Sequence, residues 1–200
     1  MNGPQDHPSL RGGALASFEA ALRRRLRRWE CALRDRVAPP RPPRFAAPPE
    51  RLVFVCFGNI CRSAYAAARC AEMLPECSVA SAGLHATAGA APPGAAVAAA
   101  RERGLDLSAH RATPLGALSD SPGTIYFVME PWQRRAVRRR RGDARRRIHL
   151  LGALASPPVV AIADPYGGPP ERFAAAFALI DDATRRLVEA VRAARGRSAR

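Results

Sequence analysis

Residues 53–63 read Val-Phe-Val-Cys-Phe-Gly-Asn-Ile-Cys-Arg-Ser, and this string constrains the fold more than any other part of the chain. A short run of β-branched and aromatic residues ends at Cys56, and a helix-like stretch opens at Arg62. The pattern predicts a buried strand, a tight loop and a helix N-terminus, with a thiol at one end of the loop and a guanidinium at the other. Gly58 and Asn59 tolerate the left-handed backbone values that such a loop needs.

This predicted loop suits the binding of a phosphate beside a nucleophile. Successive backbone N–H groups form an anion-binding nest, and the helix N-terminus adds unpaired donors and positive potential. Arg62 can bind two oxygens of a phosphate at once. Because the same positive field stabilises a thiolate, we expect Cys56 to be a nucleophile. A cysteine and an arginine at this spacing also occur by chance, so the intervening residues carry the prediction.

The whole string resembles the signature of the low-molecular-weight protein tyrosine phosphatases, with Ala64 where that family has proline. Three further matches follow in the order the family has them. They are Ser-Ala-Gly at residues 81–83, the stretch Gly104–Arg111, and Asp-Pro-Tyr at residues 164–166. The resemblance covers roughly residues 51–194 without losing an element.

Strands that alternate with helices predict an α/β fold, a parallel four-stranded sheet with helices on both faces, which is also the family's fold. The cysteine loop then lies at the carboxyl end of the first strand, where such sheets bind ligands. Residues 112–123 are predicted to be irregular. The predicted strands cover residues 52–55, 78–81, 124–129 and 148–151, and the predicted helices cover 62–73, 94–103, 131–140 and 170–194.

Residues 1–49 are predicted to be an extension that precedes a phosphatase domain of residues 50–200. Apolar residues between positions 14 and 37 recur at helical spacing and face a set of arginines, which predicts a basic amphipathic helix. Prolines between positions 39 and 49 predict a stiff linker. We expect the helix to bind a partner protein or its own domain, and membrane binding is the weaker alternative.

The resemblance implies a role for each site residue. Cys56 attacks the phosphorus of a phosphotyrosine and forms a phosphocysteine, while Arg62 holds the phosphate oxygens. Asp164 protonates the leaving phenolate and later activates water. Neither a metal nor a cofactor is required. Ser63 stabilises the thiolate, Ser81 supports the loop together with Asn59, and the substrate-binding residues are Phe57, Gly58, Asn59, Ile60, Cys61, Ser63 and Tyr166, with Phe57 and Tyr166 as walls for the aryl group.

Three alternative functions remain. A non-catalytic phosphate- or polyanion-binding module would have no use for the general acid Asp164. An arsenate reductase of the same fold needs redox cysteines after the third strand, and no cysteine of this chain lies beyond Cys77. A protein-arginine phosphatase of the same family typically has threonine where this chain has Ile60.

The roles of four further residues depend on where the structure places them. Cys61 either forms a reversible disulfide with Cys56 or is a packing residue. We interpret the isolated residues His85, His110 and His149 as structural.

Composition and charge limit the partners and the cellular location that we expect. The formal charge is +15, but all 32 basic residues are arginine, which is typical of a GC-rich genome. The arginine run at residues 134–147 lacks interleaved aromatic residues, so we expect no nucleic-acid partner. An odd cysteine count of five and a thiolate nucleophile favour the reducing cytoplasm. The strings Ser-Ala-Gly-Leu and Val-Met-Glu resemble the bacterial branch linked to exopolysaccharide tyrosine kinases, which implies such a kinase as the phosphotyrosine substrate.

Overall fold

A single parallel sheet organises the computed structural model, which describes residues 41–142 and 147–198. Its strands are β1 (Arg51–Cys56), β2 (Ser78–Gly83), β3 (Thr124–Val128) and β4 (Ile148–Leu150), in the order β2-β1-β3-β4. All three pairings are parallel. The predicted α/β fold with a four-stranded parallel sheet is therefore confirmed.

The helices are α1 (Arg62–Met73), α2 (Gly94–Arg101), α3 (Pro131–Arg141) and α4 (Pro170–Ser198). Helix α1 has the predicted bounds, whereas α2 stops two residues before its predicted end and α4 continues four residues past its predicted end. A turn with Gly104 at φ 78° follows α2, a common way for a helix to end. Residues 112–123 hold only the short 3-10 helix Leu115–Ala117, in agreement with the prediction of an irregular segment.

The sheet is covered on both faces because successive side chains of a strand point to opposite sides. On one face, Phe54 and Phe127 stack at 5.8 Å and pack with residues of α1, α2 and α4. On the other face, Val55 and Tyr126 pack with residues of α3. A strand buried on both faces needs apolar residues throughout, which explains the unbroken run at the start of the signature.

Strand β1 lies at the point where the chain reverses its direction across the sheet, with β2 on one side and β3 on the other. The crevice beyond the carboxyl ends of such strands is where α/β sheets bind ligands. Gly83 lets β2 end close to the loop that follows β1. A Cβ atom there would lie 2.9 Å from the carbonyl oxygen of Phe57.

The described chain begins with a segment that packs against the domain. Pro43, Phe45 and Pro49 are buried, and Arg197 near the end of α4 donates to the carbonyl oxygen of Phe45 at 3.0 Å. The predicted amphipathic helix and the first prolines of the predicted linker lie outside the described residues, so the division between residues 49 and 50 stays a prediction. Within residues 41–142 and 147–198, no helix is long and apolar enough to cross a membrane.

Candidate active site

Cys56 is the last residue of β1, and its side chain is buried at the centre of the cysteine loop, residues 56–62. The Sγ atom accepts a hydrogen bond from the backbone N–H of Asn59 at 3.3 Å and lies 3.0 Å from the Oγ atom of Ser63. Two donors directed at one sulfur stabilise negative charge on it. The loop therefore surrounds the sulfur of the predicted nucleophile with polar groups.

Asn59 fixes the shape of the loop. It is the one non-glycine residue of the described chain with a positive φ, at 57°, whereas Gly58 keeps φ outside the left-handed region. The backbone N–H of Thr113 donates to Oδ1 of Asn59 at 2.8 Å, so the amide nitrogen must point the other way. That nitrogen donates to the Oγ atoms of Ser63 at 2.9 Å and Ser81 at 2.8 Å. The structure thus brings Ser81 to the loop as predicted.

This amide orientation decides what Ser63 does. Because the Ser63 oxygen accepts from Asn59, its own proton is free to be donated elsewhere. The candidates are the Cys56 sulfur at 3.0 Å and the carbonyl oxygen of Ala82 at 3.4 Å. The shorter contact favours donation to the sulfur, as expected for a hydroxyl that stabilises a thiolate.

Arg62 is the first residue of α1, and its side chain is 1% exposed. Its Nη1 atom donates to Oε1 of Glu130 at 2.7 Å and to the carbonyl oxygen of Ile162 at 2.8 Å. Burial opposes its charge, but Asp164, Cys56 and Glu130 outweigh that effect and raise the pKa of Arg62. The Nε–H group is buried and has no hydrogen-bond partner among the described residues. This donor is available for an anion in the loop.

Asp164 contacts the other terminal nitrogen of that guanidinium. Its Oδ2 atom is 2.7 Å from Nη2 of Arg62, and its Oδ1 atom accepts from the backbone N–H of Tyr166 at 3.3 Å. The carboxylate is about one-third exposed, so solvent reaches it. Gly167 allows the turn that follows, with φ at 72°. The Tyr166 side chain is 63% exposed and forms no ring contact with another described aromatic residue.

Glu130 is a site residue that the sequence did not reveal. It is the N-cap of α3, where it forms a capping box with Gln133, and it is also the buried partner of Arg62. A carboxylate placed on Nη1 keeps that side of the guanidinium occupied and leaves the Nε side for a ligand. The arrangement can bind a tetrahedral oxyanion over Cys56, with a carboxylic acid or carboxylate at the rim.

A family model described as low molecular weight phosphotyrosine protein phosphatase matches residues 51–197. The chain belongs to this family. It is 30% identical over 142 residues to the Escherichia coli low molecular weight protein-tyrosine-phosphatase Wzb, an alignment that covers 71% of the chain and 95% of Wzb. It is 33% identical over 142 residues to the Geobacillus stearothermophilus protein-arginine-phosphatase, with 70% of the chain and 95% of that relative covered. The crystal structure of the Erwinia amylovora tyrosine phosphatase AmsI superposes with a TM-score of 0.65 at 32% identity, covering 71% of the chain and 93% of AmsI.

The remaining predicted site residues differ in their burial and their contacts. Phe57 and Ile60 are partly buried, and Phe57 contacts the rings of His85 and Trp132. Cys61 is buried, and burial, reinforced by Cys56 and Asp164, raises the pKa of its thiol to about 12. Cys61 therefore stays neutral near neutral pH and does not compete as a nucleophile. Both predicted alternatives for Cys61, a reversible disulfide with Cys56 and a packing role, therefore stay open.

His110 also belongs to the site, although the sequence led us to interpret it as an isolated structural residue. Its Nε2 atom lies 2.7 Å from the carbonyl oxygen of Asn59. It therefore supports the one left-handed residue of the loop from outside. The family-like stretch Gly104–Arg111 around it is the only signal in the sequence, and that signal does not say what the imidazole contacts.

Proposed function

We propose that this chain is a protein-tyrosine phosphatase that works through a phosphocysteine intermediate. The observation that carries the proposal is the meeting of two groups of the cysteine loop with a third from a distant part of the chain. Cys56 lies within the loop, Arg62 closes it, and Asp164 contacts Arg62 at 2.7 Å. The three groups suit the roles of nucleophile, phosphate-binding cation and general acid, and a binding module would have no use for the general acid.

The first step forms the intermediate. The phosphate enters the cysteine loop, where the Nε–H group of Arg62 and the amides at the start of α1 donate to its oxygens. The Cys56 thiolate attacks the phosphorus, and the bond to the aryl oxygen breaks. Protonated Asp164 gives its proton to that oxygen, so that a neutral phenol leaves.

The second step returns the enzyme. Water attacks the phosphorus of the phosphocysteine, and the carboxylate of Asp164 takes a proton from the water. The bond between sulfur and phosphorus breaks, and Cys56 leaves as a thiolate. The hydroxyl of Ser63 and the backbone N–H of Asn59 stabilise it at that moment.

Substrate and setting follow from the same chemistry. Similarity to Wzb and AmsI, both named as tyrosine phosphatases, supports a phosphotyrosine substrate, and Ile60 is the residue we associate with that preference. A tyrosine kinase of exopolysaccharide synthesis is our candidate for the phosphoprotein. Because the reaction needs a reduced Cys56, we place the protein in the cytoplasm.

A second candidate, a protein-arginine phosphatase, is favoured by the 33% identity to the Geobacillus enzyme. The two are separated by measuring phosphate release from phosphotyrosine, phosphoserine and phosphoarginine peptides of matched sequence. We expect release from phosphotyrosine to be fastest and Cys56→Ser to abolish it, because a serine hydroxyl is not ionised at neutral pH. Faster release from phosphoarginine would overturn the tyrosine assignment. Tight phosphate binding without turnover of any peptide would indicate a binding module.

A further inference from the structure

Three ring side chains lie beside the cysteine loop, and we call Phe57, His85 and Trp132 the aromatic rim. The Phe57 ring stacks on the imidazole of His85 with centroids 4.9 Å apart and meets the Trp132 indole edge-on at 6.2 Å. His85 is exposed, and the other two rings are partly exposed. Since Phe57 directly follows Cys56, the rim borders the nucleophile.

The rim is also joined to the guanidinium that would hold the phosphate. The indole N–H of Trp132 donates to Oε2 of Glu130 at 3.2 Å, and Oε1 of the same carboxylate accepts from Arg62 at 2.7 Å. The first turn of α3 is therefore fixed relative to the site. Whatever continues along α3 from Trp132 has a defined place beside a bound phosphotyrosine.

What continues from Trp132 is an arginine row, Arg135 and Arg139. They follow Trp132 by three and seven residues, so the three side chains lie on one face of the helix. Both arginines are exposed, and α3 contains neither Asp nor Glu. No carboxylate of residues 41–142 or 147–198 forms an ion pair with either of them.

The row differs from the arginine that ends the helix. Arg141 donates to the carbonyl oxygens of Leu115 and Leu118, and its guanidinium lies over the ring of Tyr126. It is occupied in holding the loop before β3 against α3. A genome's preference for arginine explains the number of arginines. It does not explain why some of them hold other parts of the domain while Arg135 and Arg139 are exposed beside the site.

We propose that the arginine row binds acidic residues that flank the phosphotyrosine of the protein substrate, an inference that rests on the proposed tyrosine phosphatase function. At about 1.5 Å per helical residue, Arg135 and Arg139 lie about 4.5 and 10.5 Å along the axis from Trp132. An extended peptide advances about 3.3 Å per residue. The row therefore matches acidic side chains spread over roughly three consecutive positions beyond the residue that contacts the rim.

Exposed charges act mainly on encounter and weak affinity. Each exposed ion pair contributes little, and salt screens it, so the row should change substrate binding and leave the chemical step unchanged. This predicts a salt-dependent difference in affinity between acidic and neutral phosphopeptides. It predicts no effect of the row on the turnover of a small aryl phosphate, which does not extend to Arg135 or Arg139.

The experiment measures the affinity of phosphotyrosine peptides for the full-length Cys56→Ser protein by fluorescence anisotropy. The probes carry three glutamates before or after the phosphotyrosine, or glutamines at the same positions, and one acidic probe lacks the phosphate. We expect one of the acidic phosphopeptides to bind about 3- to 30-fold more tightly than its glutamine counterpart at low salt. The advantage should shrink in 0.5 M salt, where the Debye length falls to about 4 Å.

The double variant Arg135→Gln with Arg139→Gln should remove this advantage. Its matched control is Arg185→Gln with Arg186→Gln, which removes the same charge from exposed positions on α4. Turnover of a small aryl phosphate by the otherwise wild-type enzyme should be the same with either double variant.

Two affinity results would overturn the docking surface: equal affinity for acidic and neutral phosphopeptides, or equal loss of the acidic advantage in the two double variants. Undiminished binding of the acidic probe without phosphate would also overturn it. So would a loss of small-substrate turnover in the Arg135→Gln, Arg139→Gln variant alone. Failure of the proposed function looks different. In that case the wild-type protein would release no phosphate from any phosphotyrosine peptide, whatever the arginine row does to binding.

Discussion

At the scale of single residues, Asp164 is paired with Arg62 in the free site, yet its proposed role requires it to carry a proton toward the leaving group. Entry of a phosphate gives Arg62 another anion to bind and allows Asp164 to turn to the aryl oxygen. Asp164→Ala should therefore slow the turnover of a phosphotyrosine peptide by about 10²–10⁴-fold.

A substrate with a better leaving group tests that role directly. The loss in Asp164→Ala should be smaller for an activated aryl phosphate such as p-nitrophenyl phosphate, because its phenolate leaves without a proton. Steady-state kcat for both substrates in both proteins provides the comparison. Equal losses on the good and the poor leaving group would contradict general acid catalysis by this residue.

His149 gives a second prediction at this scale. Burial, with Arg134 nearby, lowers the pKa of His149 from 6.5 to about 4. Between those two pKa values the unfolded chain binds a proton at His149 that the folded chain does not. The stability that the neutral imidazole contributes to the fold is therefore complete above pH 6.5 and is lost as the pH falls. With a discount for partial exposure, stability should drop by about 1–2 kcal/mol from pH 7.5 to 4.5 through this residue.

Urea unfolding at both pH values checks this sign. The variant His149→Gln should show a smaller loss of unfolding free energy on acidification than the wild type. The exposed residue His85 offers a control for the removal of a histidine. An identical pH dependence in wild type and His149→Gln would rule out the assignment.

At the scale of elements, the cysteine loop keeps its shape through Asn59, which combines a left-handed backbone with contacts to Ser63, Ser81, Thr113 and His110. Replacement by alanine removes the side chain and also leaves a strained φ, whereas glycine removes the side chain without strain. We expect both variants to lose turnover, since a shift of about 1 Å in catalytic groups can cost about 10²-fold.

The two variants should separate in stability. Asn59→Ala should unfold with a free energy about 1 kcal/mol lower than Asn59→Gly, the cost of a left-handed non-glycine residue. Thermal unfolding and kcat on an aryl phosphate measure the two effects independently. Retained turnover in Asn59→Gly would mean that the side-chain contacts do not organise the loop.

The elements also show what a sequence of this kind can predict. Local sequence patterns predicted the bounds of β1 and α1 well. A strand buried on both faces is apolar throughout, and α1 begins where the signature places Arg62. Local patterns did not predict the contacts that residues outside the signature make with the site. Glu130 reaches Arg62 over 68 residues, and His110 reaches Asn59 over 51. Sheet topology makes these contacts, and no local periodicity encodes them.

Resemblance predicted some of the distant residues that physics alone would have missed. Ser81 and Asp164 were placed by the family's motifs, and both lie at the cysteine loop. The sequence allows a left-handed backbone at both Gly58 and Asn59. Only Asn59 adopts that conformation, because its side chain and carbonyl are both held in place. Sequence permits such a conformation, but tertiary contacts select it.

At the scale of the whole molecule, helix α4 connects two ends of the domain. It begins five residues after Pro165, beside the site, and its last turns meet the segment that precedes β1. At about 1.5 Å per residue, Ala194 lies roughly 36 Å along the axis from the start of the helix. Changes at the far end should therefore affect stability without touching the chemistry.

Phe45 lies at that far end, 8% exposed in the same cluster as Val191 and Ala194. Its carbonyl accepts from Arg197 at 3.0 Å. Truncating a buried phenylalanine to alanine removes apolar contact and leaves a cavity, so Phe45→Ala should lower the free energy of unfolding by about 3 kcal/mol. The exposed neighbour gives a matched control, since Arg44→Ala should change it by less than about 0.5 kcal/mol.

Urea unfolding of the full-length protein gives these values, and kcat on a small aryl phosphate, measured where both variants are folded, should equal that of the wild type. Such a result would make residues near Phe45 part of the folded domain and would move its effective start upstream of residue 50. A Phe45→Ala protein as stable as Arg44→Ala would instead leave the segment before β1 as a weakly attached extension, as the proline-rich sequence predicts. Lost turnover at unchanged stability would contradict the separation of the two ends of α4.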